Sequence, residues 1–149
     1  MEEQEYKNTY RAINEVPCPF EKAILSTRCG CEKSRKVNIA GREAVGCSSP
    51  AARQDCLALL EAMRRSAMFA LRLTTPSNIL PHSKEMKVQC GGMLGLRNLV
   101  LPDHAPEPHV ENIHAVVAAA QALHGSLDAL PYGEIVKQIA AFEPRPRRG

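Results

Sequence analysis

The chain has 149 residues, with 19 Lys and Arg against 16 Asp and Glu, and 44% hydrophobic residues. That length builds a core without covalent staples, so its six cysteines call for a reason of their own. A net charge of +3, 4% aromatic residues and no Trp argue against a nucleic-acid binder, which needs a basic face or stacking rings.

Residues 1–16, "MEEQEYKNTYRAINEV", read as a polar leader, helical around 6–13. They lack the basic segment and apolar run of a signal peptide. The longest uncharged apolar stretch, "IHAVVAAAQAL", is too short to span a bilayer. The expected setting is the cytoplasm, where thiols stay reduced and grouped cysteines mark metal or redox chemistry more often than disulfides.

Residues 17–101 read as a cysteine-rich helical metal-binding domain. "PCPFEKAILST", residues 17–27, predicts a short helix with Pro19 in its first turn and Phe20, Ala23 and Ile24 on one face. An irregular stretch follows, "RCGCEKSRKVNIAGREAVGC", in which "KVNIAGREAV" is a candidate hairpin turning near Gly41. The clearest helix begins at Ser49 as N-cap and Pro50 as first helical residue. Its apolar stripe is Cys56, Leu59, Leu60, Met63, Ala67, Ala70 and Leu71, and Thr74–Thr75–Pro76 is expected to end it. Ser83 is the expected cap of the next helix, which carries Met86, Cys90, Met93, Leu94 and Arg97 near one face. Gly91, Gly92 and Gly95 each cost that helix about 1 kcal/mol relative to Ala, so either it breaks there or the glycines admit a close neighbour.

Residues 102–149 read as a Pro-rich linker, two helices and a basic tail, "PRPRRG". The helices are expected over 109–124, stopped by Gly125, and over 132–142. The expected fold is mainly α: a small helical domain with a cysteine-rich irregular loop, a short hairpin within it, and a C-terminal helical appendage.

Five cysteines, Cys18, Cys29, Cys31, Cys47 and Cys56, follow the spacing C-x10-C-x-C-x15-C-x8-C. Thiolates select zinc, copper(I) and iron–sulfur clusters, and four of these five are the expected ligands. Cys90 reads as a small core residue. Paired C-x2–4-C zinc knuckles are absent, as are the C-x2-C-x2-C and C-x4-C-x2-C ferredoxin spacings. Cys18 precedes Pro19, and a Cys-Pro pair also ends the common bacterial four-iron run. Arg28, Lys33, Arg35, Lys36 and Arg42 would offset a cluster's negative charge, lower the thiol pKa values, and offer a dock for an acidic partner. The histidines His82, His104, His109, His114 and His124 show no ligand spacing and read as solvated, and no nucleophile–base signature appears.

The expected function is therefore that of a small iron–sulfur protein without catalytic residues of its own. It would transfer electrons or serve as an accessory subunit of a redox enzyme, docked to an acidic partner near Arg28, Lys33, Arg35 and Lys36. One alternative is an interaction or assembly module folded around zinc. Another is a metal-free helical adaptor with reduced core cysteines. A redox dithiol formed by Cys29 and Cys31 is a further, minor reading.

Overall fold

The Ser49-Pro50 signal opens the longest helix. In the computed structural model, which describes residues 3–72, 80–105 and 107–144, the Ser49 side chain accepts the Ala52 N–H at 3.2 Å and caps Pro50–Ala67, here α3. Leu59, Leu60, Met63 and Ala67 of the predicted stripe are buried. The helix stops at Ala67, short of its expected end. Arg72 has a φ of 57°, outside the helical region, and its N–H bonds to Phe69 O. The expected terminator Thr74–Thr75–Pro76 lies outside the described residues.

Two helices precede α3: α1 (Glu3–Ile13) and the short α2 (Glu21–Leu25). Phe20, Ala23 and Ile24 are buried, as their spacing predicts. Between α2 and α3 lies the hairpin, β1 (Ser34–Ile39) paired antiparallel with β2 (Arg42–Cys47), with Ser34 opposite Cys47 and Ile39 opposite Arg42. Its two-residue turn, Ala40–Gly41, has φ of 51° and 82°. That geometry matches the strands' twist and suits glycine at the second position.

The glycine-rich region starts with α4 (His82–Met86). Ser83 falls inside the first turn rather than at the cap, because the extended Pro81 (φ −52°, ψ 147°) already sets the helix start. A π-helical turn, Lys87–Gly91, then leads directly into α5 (Gly92–Val100). The close neighbour the glycines admit is a helix, α7 (Tyr132–Ala141). A Cβ at Gly91 would stand 2.7 Å from Gln138 O and 2.8 Å from Ile139 Cα. One at Gly95 would stand 3.0 Å from Gln138 Cβ.

The helix expected over 109–124 is α6 (Ile113–His124), closed by Gly125 at φ 86°. Residues 109–112 stay out of it, because Val110 bridges Cys29 instead. The region expected as an appendage shares one core with the rest: Val110, Ile113, Val116, Ala120, Ile135 and Ile139 cluster with Leu59, Met63, Met93 and Leu96. Arg97, only 3% exposed, anchors the linker by donating to His109 O at 2.9 Å and to Glu107 O. No helix among the described residues is long and apolar enough to cross a membrane. The basic tail beyond Pro144 lies outside the described residues.

Candidate thiol site

The chain around Cys18 joins the hairpin. Along the edge of β2 away from β1, the Cys18 N–H donates to Val45 O at 2.9 Å and the Cys47 N–H to Val16 O at 2.7 Å, with Pro17 bridging Gly46. Gly46 is required here, since a Cβ would meet Asn14 Oδ1 at 2.7 Å. The Cys31 carbonyl accepts the Ser34 N–H at 3.1 Å and its hydroxyl at 2.7 Å. That turn holds Cys31 beside Ser34, which pairs with Cys47. Cys47 stands two residues before the cap of α3, and its thiol donates to Ser49 O at 3.2 Å. Cys56 follows on the second turn of α3.

These four thiols face one region. Burial pushes the Cys18 thiol up to about 12; the Phe20 N–H on its sulfur opposes that, while Cys31, Cys47 and Glu21 add to it. Burial likewise pushes Cys56 up to about 12, with Cys18, Cys31 and Cys47 adding to the rise. Cys18 and Cys56 therefore each lie within electrostatic reach of the other three. Cys47 is buried and Cys18, Cys31 and Cys56 are half-buried. Among the described residues, no group of three or more His, Cys, Asp or Glu side chains is arranged to hold a metal ion.

Cys29 lies elsewhere. Its N–H bonds to Ala23 O at 3.2 Å, while the flanking Arg28 carbonyl and Gly30 N–H pair with Val110 at 3.1 and 2.8 Å. Its side chain meets Cys90, its thiol donating to the Cys90 sulfur. That contact and burial raise Cys29, while the same contact, helped by Ser26 and Arg28, lowers Cys90. The partner of Cys29 is thus Cys90 and not Cys31. Gly30 makes the separation possible, since a Cβ there would strike Glu111 O at 2.8 Å.

The basic residues also part company. Arg28 places its guanidinium over the Phe142 ring, 5.3 Å from the centroid, and donates to Pro144 O at 3.1 Å. Its charge acts on Cys29 and Cys90. Arg42 pairs with Glu3 at 3.3 Å and covers the Tyr6 ring at 4.2 Å. The expected lowering of thiol pKa values by this basic run is therefore overturned at Cys18 and Cys56, where burial dominates and neighbouring negative charges reinforce it. Arg35 and Lys36 are exposed on β1 and Lys33 is half-buried. His114 bonds Glu32 at 2.9 Å, and this bond holds the Glu32 carboxyl below its usual range.

Two polar devices around the site have no sequence signature. Glu21 accepts the Val45 N–H at 2.7 Å and the Tyr10 hydroxyl at 3.0 Å, tying α1 and β2 to the helix behind Cys18. Glu85, 3% exposed, accepts Arg64 Nε at 3.1 Å and Gln89 Nε2 at 2.8 Å. Gln89 Oε1 in turn accepts the Ala23 N–H at 3.0 Å. This chain of bonds links α2, which follows Cys18, to α3, which carries Cys56. A cleft of about 230 Å³ opens between them, lined by Cys18, Lys22, Arg64 and Glu85 among others.

No protein-family model, curated protein or solved structure matches the chain.

Proposed function

We propose that this chain is a small iron–sulfur protein, acting in electron transfer or as an accessory subunit of a redox enzyme, with Cys18, Cys31, Cys47 and Cys56 as the cluster ligands. The observation that carries the reading is their convergence from four separate segments: the loop before α2, the turn before β1, the end of β2 and the second turn of α3. Four thiolates are the usual ligand set of such clusters. Cys47 precedes the capped start of α3, where the helix dipole favours negative charge, and the Phe20 N–H already points at the Cys18 sulfur. Tetrahedral zinc, with bonds of about 2.3 Å, needs sulfurs about 3.8 Å apart. A four-iron cluster gives each thiolate its own iron and asks for wider spacing than that.

The reading takes the chain as cytoplasmic, where thiols remain reduced. Its partner is an acidic protein surface meeting Lys33, Arg35 and Lys36 on the hairpin side, next to Cys31. Arg28 drops out of that dock because its charge is engaged by Phe142 and Pro144.

The deciding experiment measures iron, zinc and acid-labile sulfide in protein purified without air. Iron and sulfide in equal amounts, with absorbance near 400 nm, is the expected result. About one zinc per chain and no sulfide converts the reading to the zinc-folded module. Protein that folds with neither metal overturns both.

A further inference from the structure

The hairpin is covered on three sides and open on the fourth. Ile39 and Ala44 are buried on one face, Val45 and Cys47 on the other. The closing pair, Ile39 opposite Arg42, flanks a two-residue turn and so exchanges both ladder bonds. From there bonded and non-bonded pairs alternate. Arg35, Val37 and Ile39 bond to β2, while Lys36 and Asn38 turn their N–H and C=O outward. β2 obeys the same alternation, since Val45 O and the Cys47 N–H point away from β1, to Cys18 and Val16. Residues 16–18 thus close the edge of β2. Among the described residues, no backbone group from outside the hairpin bonds to Lys36 or Asn38, so the edge of β1 stays open.

An open edge offers unpaired donors and acceptors to another extended chain. The side chains of β1 decide which chain that is. Arg35 and Lys36 are exposed and, being successive strand residues, point to opposite faces. Neither joins an ion pair among the described residues. Arg42 is engaged by Glu3 and Tyr6, and the Asn38 side chain by the Gly41 N–H at 3.1 Å. The one acid of the hairpin, Glu43, sits on β2, opposite Asn38. The open edge is therefore positive on both faces. A second copy of β1 would bring two Arg35–Lys36 pairs close together, and like charges across strands are destabilising. An acidic strand has the opposite effect.

We propose that β1 takes up an acidic, extended segment of a partner protein as an added strand. The Lys36 and Asn38 N–H groups donate to its carbonyls, and their own carbonyls accept its N–H groups. Carboxylates on two adjacent residues of the segment meet Arg35 on one face and Lys36 on the other. Proline is excluded wherever the segment must donate. The proposal rests on the acidic partner of the proposed function and not on its metal. It adds that the partner is held through its backbone, where a charged surface alone would be held by side chains.

The test uses the full chain as purified and two synthetic peptides, acetyl-TVEEVTV-amide and acetyl-TVQQVTV-amide. Hydrogen exchange of single backbone amides is read by mass spectrometry with electron-transfer fragmentation. The acidic peptide is expected to slow exchange at Lys36 and Asn38 about tenfold, with little change at Arg35 and Val37, which the ladder already holds. The neutral peptide is expected to bind about tenfold more weakly, as is the acidic peptide to the Lys36→Glu chain. The acidic peptide methylated on its central nitrogens cannot donate and is expected to protect neither amide. Binding without protection of Lys36 and Asn38, or binding undiminished by methylation, overturns strand addition and leaves the acidic dock standing. Equal binding of both peptides, or of neither, overturns the acidic partner as well. Protection that rises with protein concentration alone makes a second copy the occupant and overturns the proposal. Iron content does not enter the readout, which separates this result from the fate of the cluster reading.

Discussion

Cys29 and Cys31 are separated by one glycine, yet they belong to different parts of the molecule. Cys31 joins Cys18, Cys47 and Cys56 at the hairpin, half-exposed and surrounded by groups that oppose its neighbours' ionisation. Cys29 joins Cys90 in the helical core, where the Cys29 contact, helped by Ser26 and Arg28, lowers Cys90 while Cys29 itself is raised. The contrast teaches that spacing along the chain says little about which thiols act together. Here the hydrogen bonds of residues 28–30 to Val110 and Ile113 make the division.

The sharpest way to break this comparison is to replace each member of the C-x-C pair alone. Cys31→Ser is expected to remove iron from anaerobically purified protein, whereas Cys29→Ser keeps it. Equal loss in both, by iron and sulfide analysis, would erase the distinction. Next in size is Glu85→Ala. It leaves Arg64 without its bidentate partner and frees Gln89 beside the Ala23 N–H, and is expected to cost about 3 kcal/mol in urea unfolding. Arg64 is partly exposed, which holds the loss near the low end for buried pairs.

A pH titration of the metal-free chain probes the hairpin thiols directly. Cys18 and Cys56 ionise near 12 when folded against a usual value of 9. Between those values the folded form keeps protons that the unfolded form has released, so stability falls as pH rises from 9 towards 12 and is unaffected by these groups below 9. A urea midpoint that holds constant from pH 7 to 11 would contradict this assignment. The smallest effect expected is that of Ser49→Ala, about 1 kcal/mol from loss of the cap of α3, read from the same unfolding curves.

Local chemistry was legible before the structure. Ser49-Pro50 announces a helix start because the hydroxyl satisfies a free N–H and proline lacks one to satisfy. Ala40–Gly41 turns a hairpin, and Gly125 closes α6, for reasons confined to a few residues. The mainly helical class followed from such signals. What decided the thiol groups was remote: Cys29 is drawn away by Val110, about eighty residues on, and Cys90 comes from a helix in which it reads only as a small core residue. Glu21 gave no signal because the backbone N–H it accepts, that of Val45, lies on the hairpin. The glycines Gly91 and Gly95 posed the right question, a close neighbour, but only the packing of α7 identifies it.

The pairing of Gly30 with Val110 and Ile113 also has a consequence for the order of assembly. Every residue of the hairpin thiol group lies within the first 56 positions, so those contacts are short in sequence and suited to early formation as a chain is made from its N-terminus. Cys29 stays unengaged until the segments around Cys90 and Val110 arrive. Until then all five N-terminal thiols can compete for the same ligand, and the late stitch through Gly30 is the event that withdraws the fifth.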